Sequence, residues 1–359
     1  MYQSLQACRA LAALMVVCFH VCGDLHQDKY LGHAADSIER LMSFGDAGVP
    51  FFFVLSGFII TRVHLRDFNR PERLWDYAFK RAARIYPSYW IVFTLAYAAA
   101  WTSPTLRNTL PQDALTLIKS ALLLPQDPAL TGGTGAPVLF VAWTLQYEMM
   151  FYLTMGLAII HQRLLWLPIG LFLLNQLGHV FGEGYLQTFF ANQRIYLFGM
   201  GVLLALFSHH RLHLPMAYAR GIAITGTIAF LALASLEIYS GATSDRSDHV
   251  LIFGVISTVL VLGLIRMEDA GWRLAPEHLL VRLGNASYVL YLIHVPVMSV
   301  LVKAATMLSN HVGQFGLLGA SLSALISVMT CCVLALAFHS QIERPLLKRL
   351  SNRPVALAA

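Results

Sequence analysis

Runs of about 20 apolar residues, the length that a helix needs to cross a bilayer, recur along the whole chain. Ten such runs can be counted in the 359 residues, centred near Leu14, Val54, Phe93, Tyr152, Leu171, Met200, Ala229, Thr258, Val295 and Val328. A helix within hydrocarbon satisfies its backbone hydrogen bonds inside its own segment. The sequence therefore predicts an all-α fold, a polytopic membrane bundle of about ten transmembrane helices. One domain is expected over residues 1–345, followed by a short basic tail over residues 346–359.

The composition excludes the soluble classes of protein. Hydrophobic residues make up 57% of the chain and charged residues only 12%, whereas soluble domains carry about 25% charged residues. A soluble domain with a mean hydropathy of +0.62 would lack the polar surface that keeps it dispersed. The net charge of +6 does not indicate nucleic-acid binding, because basic residues in a membrane protein mark the orientation of its loops.

Positive charge is distributed unequally between the loops. If the N-terminus is cytoplasmic, 18 of the 25 Lys and Arg residues fall on the cytoplasmic side and 7 fall outside. This excess follows the positive-inside rule, so both termini are predicted to be cytoplasmic. The five cysteines lie in or beside the apolar runs without metal-ligand spacing. Neither a metal site nor a disulfide framework is predicted.

The first apolar run contains two ionisable residues, Arg9 and His20. Ionisable groups within a membrane are costly, so each is a candidate for function. Eleven residues of helix turn through about three full turns, which puts Arg9 and His20 on one face about 16 Å apart. A neutral imidazole can take a proton from a hydroxyl near pH 7. The alternative is a core histidine that bonds a neighbouring helix.

A second polar set enters the fourth predicted span in the segment Trp143-Thr-Leu-Gln-Tyr147-Glu148-Met-Met-Phe-Tyr152. Glu148 lies about two turns into the helix, at a depth similar to that of His20. A buried carboxylate beside an imidazole would hold the ring in one tautomer and stabilise its protonated form. The alternative is a protonated glutamic acid that bonds a neighbouring helix.

Arg81 and Arg84 lie at the predicted cytoplasmic end of the third span, three residues apart and therefore on neighbouring helix positions. Two guanidinium groups suit phosphate binding. Basic residues at this place also serve topology and lipid contact in ordinary membrane helices. The motif alone leaves both interpretations open.

A polar stripe marks the ninth span, where Ser287, Tyr291 and His294 occur at positions i, i+4 and i+7. Residues at this spacing lie on one helix face. Polar faces in membranes point to the bundle interior or to a water-filled cavity, and they also join helices. The stripe is predicted either to line a substrate tunnel or to hold helices together.

Six motifs together resemble bacterial acyltransferase family 3, in family order from the first span to the last. The resemblance is closest to the exopolysaccharide and lipopolysaccharide O-acetyltransferases. The motifs are Arg9 with His20, Gly-Val-Pro-Phe-Phe-Phe-Val-Leu-Ser-Gly-Phe from Gly48, Arg81-x-x-Arg84-Ile-Tyr-Pro, Trp143-Thr-Leu-x-Tyr-Glu148-x-x-Phe-Tyr, Ser287-Tyr-x-x-Tyr-Leu-x-His294-x-Pro296, and Ile342-Glu343-Arg344-Pro345.

The resemblance implies a ten-helix enzyme of the bacterial inner (cytoplasmic) membrane. Such an enzyme takes an acyl group, usually acetyl, from cytoplasmic acyl-CoA to a sugar hydroxyl on a lipid-linked or exported glycan. Acetyl-CoA is then a co-substrate rather than a bound cofactor, and polysaccharide biosynthesis machinery is an expected partner. The implied catalytic residues are His20 and Glu148, with Arg9, Arg81 and Arg84 on the acyl-CoA side. The expected tunnel-lining residues are Trp143, Tyr147, Tyr152, Ser287, Tyr291 and His294.

The sequence departs from the family pattern at Pro50, where many members carry an acidic residue; Asp46 is the nearest acid. Many members also carry a fused extracytoplasmic hydrolase-like domain. After the tenth span, only a short basic tail is expected here, so the membrane domain would complete the transfer alone or with a separate partner.

Several functional alternatives stay open from the sequence. His20 can act as general base on the hydroxyl or carry the acyl group covalently. A proton-coupled transporter or flippase would use His20, Glu148 and His294 as a relay, although no inverted repeat is visible in the sequence. A non-catalytic scaffold for a polysaccharide synthase is a further alternative, as is an acyltransferase whose acceptor is an amine, a lipid or a small metabolite.

Overall fold

The computed structural model describes residues 2–177, 184–208, 214–241, 247–313 and 315–351. Every regular element in these residues is helical, which confirms the predicted all-α class. In chain order the α-helices are α1 (Gln3–His26), α2 (Asp36–Met42), α3 (Gly48–His64), α4 (Leu74–Thr102), α5 (Pro104–Arg107), α6 (Ala114–Ala121), α7 (Pro128–Thr131), α8 (Trp143–Ile160), α9 (Trp166–Leu177), α10 (Tyr185–Ala191), α11 (Arg194–Ser208), α12 (Met216–Ser240), α13 (Ser247–Asp269), α14 (Leu279–Asn285), α15 (Ser287–Val312), α16 (Leu317–Phe338) and α17 (Arg344–Ser351).

Each of the ten predicted span centres falls within one of these helices. Among the described residues, seven helical stretches rather than ten are long and apolar enough to cross a membrane. They are Gln3–His26, Gly32–Asp67, Tyr185–Ser208, Met216–Ser240, Asp248–Asp269, Ser287–Val312 and Leu317–Leu350. The protein is therefore a multi-pass membrane protein, as predicted.

The other three predicted spans are the helices α4, α8 and α9. Only 12 residues of α9 are described, fewer than the ~20 residues of a typical span. α8 contains Gln146 and Glu148, which lower its hydropathy, and α4 is rich in Tyr and Trp and charged in its first half. Among the described residues, length and hydropathy therefore support seven of the ten predicted spans.

Three of the basic residues that were counted in the predicted topology, Arg211, Arg246 and Arg353, lie outside the described residues.

The chain forms two compact units, each assembled from two separate stretches of sequence. Unit 1 contains Met1–Ile59 and Tyr196–His339, and unit 2 contains Ile60–Ile195 and Ser340–Ala359. The single domain expected over residues 1–345 stays a prediction. Part of the expected basic tail is helical, because α17 extends to Ser351.

The helices of unit 1 approach one another through glycines. A Cβ atom on Gly57 would overlap the backbone of Phe198, and one on Gly201 would overlap the backbone of Val54. α3 and α11 therefore cross with no side chain between their backbones. Small residues at such crossings allow the close packing that joins helices in membranes.

The helix α14 approaches α1 through a similar contact. Gly284 of α14 meets the backbone oxygen of Gln6, where a Cβ would again overlap. The start of α1 is also fixed by Glu268, whose Oε1 accepts a hydrogen bond of 2.5 Å from the backbone N–H of Ser4. A carboxylate at a helix N-terminus satisfies an otherwise unpaired N–H group. These contacts set the register of α1 against its neighbours in unit 1.

Polar side chains join the helices of unit 2. The hydroxyl of Tyr77 donates to the carbonyl of Tyr152 at 2.8 Å, and the hydroxyl of Tyr89 donates to the carbonyl of Ser120 at 2.7 Å. The short helix α6 begins at Asp113, whose carboxylate accepts from the backbone N–H of Thr116 at 2.7 Å. That hydrogen bond holds the pKa of Asp113 below its ordinary value.

Candidate active site

Two predicted site residues of unit 1, His20 and His294, lie in direct contact. Nδ1 of His20 is 3.1 Å from Nε2 of His294, and the ring centroids are 5.1 Å apart. His294 has no exposed surface, and its Nδ1 is 2.7 Å from the carbonyl oxygen of Tyr291. The predicted catalytic histidine, which is half-buried, and one predicted tunnel-lining residue, which is fully buried, therefore form an imidazole pair.

Of the other two residues of the polar stripe on α15, Tyr291 lies beside this pair. Tyr291 has its ring centroid 5.6 Å from that of His294 and 6.3 Å from that of Phe52. Ser287 is buried, and its hydroxyl has no hydrogen-bond partner among the described residues. Phe19 contacts the His20 ring edge-on, with the centroids 5.2 Å apart. The imidazole pair thus lies in a mainly aromatic and apolar setting.

Arg9 shares the unbroken helix α1 with His20. Because no kink or break separates them, the eleven-residue spacing keeps the two side chains on one face of the helix, as predicted. Arg9 is half-buried. Its predicted role toward acyl-CoA stays a prediction.

A second group of predicted residues meets in unit 2. The hydroxyl of Tyr152 donates to Oε1 of Glu148 at 2.6 Å, and the guanidinium carbon of Arg81 lies 5.9 Å from the ring centroid of Tyr152. Nε of Arg81 is buried and has no hydrogen-bond partner among the described residues. The cluster thus combines the carboxylate of Glu148, the phenol of Tyr152 and the guanidinium of Arg81, whose Nε–H makes no hydrogen bond to the described residues.

His64 borders this cluster, although the sequence analysis does not single it out. Its ring packs edge-on against Tyr77 at 4.9 Å, and its Nδ1 lies 2.8 Å from Oδ2 of Asp67. The signal was present in the sequence, since His and Asp three residues apart at a helix end can reach each other. The pair lies at the end of α3, where a contact between neighbouring side chains is an ordinary structural feature.

Arg84 differs from Arg81 because it already has a carboxylate partner. Its Nη1 is 2.8 Å from Oε1 of Glu343, whose side chain is only 1% exposed. Glu343 lies in the π-helical turn His339–Glu343, directly before α17. The family resemblance implies that Arg84 binds acyl-CoA, whereas its observed partner joins α4 to the C-terminal segment of unit 2.

Two of the predicted aromatic residues of α8, Trp143 and Tyr147, belong to a chain of aromatic ring contacts. Trp143 contacts Tyr147 edge-on, and Tyr147 stacks on Phe189 with centroids 4.2 Å apart. Phe189 in turn contacts Tyr185 at 6.0 Å. The guanidinium of Arg194 lies 4.9 Å from the Trp143 ring centroid, an arrangement typical of a cation–π contact.

The aromatic chain ends at a cavity of about 400 Å³ within unit 2. Small-molecule sites typically have volumes of ~300–1,000 Å³. The lining includes Thr116, Lys119, Gln126, Asp127, Thr131 and Tyr185. Hydroxyl, amide, carboxylate and ammonium groups are thus grouped around one opening. The predicted pairing of His20 with Glu148 concerns residues of the two different units and stays a prediction.

Comparison with known proteins identifies the class of this polytopic protein. The profile of acyltransferase family 3, described as an acyltransferase domain, matches residues 2–337. The chain therefore belongs to this family, and it is a membrane acyltransferase. No solved structure matches it.

Two relatives show how far the similarity extends. The chain is 30% identical to the exopolysaccharide production protein ExoZ of Rhizobium meliloti (strain 1021) over 326 residues, which cover 89% of this chain and 95% of that protein. It is 25% identical to the acyltransferase MdmB of Streptomyces mycarofaciens, over 99% of this chain and 94% of that protein. Both relatives match nearly their whole length.

Proposed function

We propose that this protein is an O-acyltransferase of the bacterial inner membrane that acts on a polysaccharide. It transfers an acyl group, acetyl in the first instance, from cytoplasmic acyl-CoA to a sugar hydroxyl of a surface or exported glycan. The His20–His294 pair carries the proposal, because it gives a member of an acyltransferase family an imidazole base within its helices. The name of ExoZ, an exopolysaccharide production protein, supports a glycan acceptor.

The proposed chemistry is a direct transfer with His20 as general base. His20 takes the proton of the sugar hydroxyl while the oxygen attacks the thioester carbonyl. A C–O bond forms, the C–S bond breaks, and the coenzyme A thiolate leaves and receives the proton back from His20. The products are acylated glycan and free coenzyme A, so the reaction needs no further reactant.

Basic residues support the donor side of the proposal. Guanidinium groups bind phosphate through charge-assisted, often bidentate hydrogen bonds. Arg81 suits this role, because its buried Nε has no partner among the described residues and it lies at the predicted cytoplasmic end of α4. Arg9 and Arg84 complete the proposed donor set.

The cavity of unit 2 supports the acceptor side. Its lining lies in the segments 116–131 and 184–186, which the predicted topology places outside the cytoplasm. Sugar hydroxyls both donate and accept hydrogen bonds, and the cavity offers partners of both kinds in Asp127, Gln126 and Lys119. We assign the incoming glycan to this cavity.

Purified protein incubated with acetyl-CoA and extracted polysaccharide tests the proposal directly. We expect acetyl-CoA turnover and acetylated glycan, and His20→Ala should lower both by about 10³-fold, as loss of a general base does. His311→Ala is the matched control, since His311 is exposed and lies outside the proposed site. Full activity of His20→Ala in both assays would refute the assignment. An acetylated His20 trapped with acetyl-CoA alone would indicate the covalent route instead.

A further inference from the structure

Gln146 of α8 is buried and joins two separate points of the preceding chain. It is only 2% exposed. Its Nε2 lies 3.2 Å from the carbonyl oxygen of Leu124 and 3.0 Å from that of Gly135. Backbone carbonyl oxygens only accept hydrogen bonds, so the amide of Gln146 donates one N–H group to each of them. One side chain therefore holds both ends of the segment 124–135.

The residues between these two carbonyls form a compact loop, 125–134, which we term the acceptor loop. A second contact closes its base, because a Cβ atom on Gly135 would overlap the backbone oxygen of Gln126. Gly135 has a φ of +76°, which glycine adopts readily. Within the loop, the carboxylate of Asp127 accepts from the backbone N–H of Ala129 at 2.8 Å. Compact loops of about 6–16 residues with their ends close together are Ω loops, which are frequently functional.

The acceptor loop forms one wall of the cavity in unit 2. It supplies half of the lining residues, which are Pro125, Gln126, Asp127, Leu130 and Thr131. The others belong to α6 and to the segment 184–186. Because both ends of the loop are bonded to Gln146, this side chain fixes where the wall stands relative to α8.

We propose that Gln146 is a positioning residue for the acceptor, which holds the acceptor loop in the shape that the glycan binds. The inference rests on the proposed function, which assigns the glycan to this cavity. Gln126 and Asp127 offer hydrogen-bond partners to sugar hydroxyls, and both follow closely after the anchored carbonyl of Leu124. A loop that is ordered before the glycan arrives lowers the entropy cost of binding.

Kinetics of Gln146→Met test this role. Methionine has a similar length and volume but donates no hydrogen bond. We expect KM for the glycan to rise about 10-fold, on the scale of one or two neutral hydrogen bonds. Both kcat and KM for acetyl-CoA should change less than about twofold, because Gln146 touches neither the reacting groups nor the donor in the proposal.

Gly135→Ala perturbs the base of the same loop without altering α8. Its added methyl group would meet the backbone oxygen of Gln126, so we expect the same selective rise in KM for the glycan. This variant decides the question by the same criteria if Gln146→Met does not fold.

Gln162→Met is the matched control. Gln162 belongs to the same unit, is exposed and does not line the cavity. A glycan KM of Gln146→Met no higher than that of Gln162→Met would overturn the inference. An equal rise in KM for acetyl-CoA would also overturn it, because that result would indicate a general structural role.

Hydrogen exchange of backbone amides, followed by mass spectrometry, measures the loop without turnover. In Gln146→Met we expect the acceptor loop to exchange about 10-fold faster than in the wild type, while α6 stays unchanged. Unchanged exchange in the loop would overturn the inference. An inactive wild type would refute the proposed function, and the exchange rates would still decide whether Gln146 holds the loop.

Discussion

The two compact units are held together in different ways. In unit 1 the backbones touch, as at Gly57 against Phe198 and Gly284 against Gln6. In unit 2 the helices are joined through long polar side chains, as in the ion pair between Arg84 and Glu343. Lipid tails are as apolar as leucine, so helices in a membrane associate through close packing or through interhelical hydrogen bonds. Unit 1 combines close backbone packing with interhelical hydrogen bonds such as that between Ser4 and Glu268, whereas the contacts described above for unit 2 are polar.

This difference changes how a buried polar residue should be interpreted. Polar contacts are common in unit 2, so a single one, such as that of Arg84, is adequately explained by helix association. The close glycine contacts of unit 1 already account for the packing around α1. The imidazole pair of unit 1 is therefore the more informative signal of function. The glycine contacts already explain how the helices around α1 pack, so packing alone does not require histidines at these two positions.

The largest expected effect concerns the ion pair of unit 2. Arg84→Ala leaves the carboxylate of Glu343 buried without its cation, and such a change typically costs about 3 kcal/mol or more of folding free energy. We expect a clearly lower thermal unfolding temperature of the detergent-solubilised protein.

The double variant Arg84→Met with Glu343→Leu separates the structural role of Arg84 from its proposed role toward acyl-CoA. Replacing both partners by apolar residues should restore most of the stability. An unchanged KM for acetyl-CoA in this variant would remove Arg84 from the donor site, whereas a raised KM would keep it there.

The glycine contacts of unit 1 predict the next largest effect. Gly201→Ala inserts a methyl group against the backbone of Val54, and overpacking of this kind costs about 1–3 kcal/mol. Gly199→Ala is the control on the same helix, because nothing lies near its Cβ position and alanine favours helix by about 1 kcal/mol. Equal unfolding temperatures for the two variants would contradict the backbone-contact account of unit 1.

Arg81 should affect binding rather than folding. Arg81→Gln removes a phosphate ligand, and we expect KM for acetyl-CoA to rise about 10-fold, on the scale of one charge-assisted hydrogen bond. The unfolding temperature should stay close to that of the wild type, in contrast to Arg84→Ala. A large loss of stability without a change in KM would show that the two arginines serve the same structural purpose.

The smallest expected effect concerns the cavity. Tyr185→Ala should raise KM for the glycan about fivefold, corresponding to the loss of about one neutral hydrogen bond, and leave KM for acetyl-CoA unchanged. Tyr239→Ala is the control, since Tyr239 is 84% exposed and does not line the cavity. Equal KM values for the glycan in both variants would show that the cavity does not bind the acceptor.

Sequence patterns predicted the helices well and their partners poorly. All ten predicted span centres lie in helices, because hydropathy over about 20 residues is a local property. His20 and His294 were both selected as candidates, yet they are 274 residues apart and no local pattern indicated their contact. Glu343 was part of a recognised motif, but its partner Arg84 is 259 residues away.

The sequence by itself determined the class of this protein: an apolar, helical, multi-pass member of an acyltransferase family, with a short set of ionisable residues in its spans. Hydropathy, helical periodicity and motif order depend on residues close in the chain, and each could be read directly. Only the tertiary structure decided which of those residues have which partner. It distinguished Arg81, with a buried unused donor, from Arg84 in its ion pair, and it joined His20 to His294. Those contacts depend on how helices pack across hundreds of residues, and packing is fixed by the whole fold.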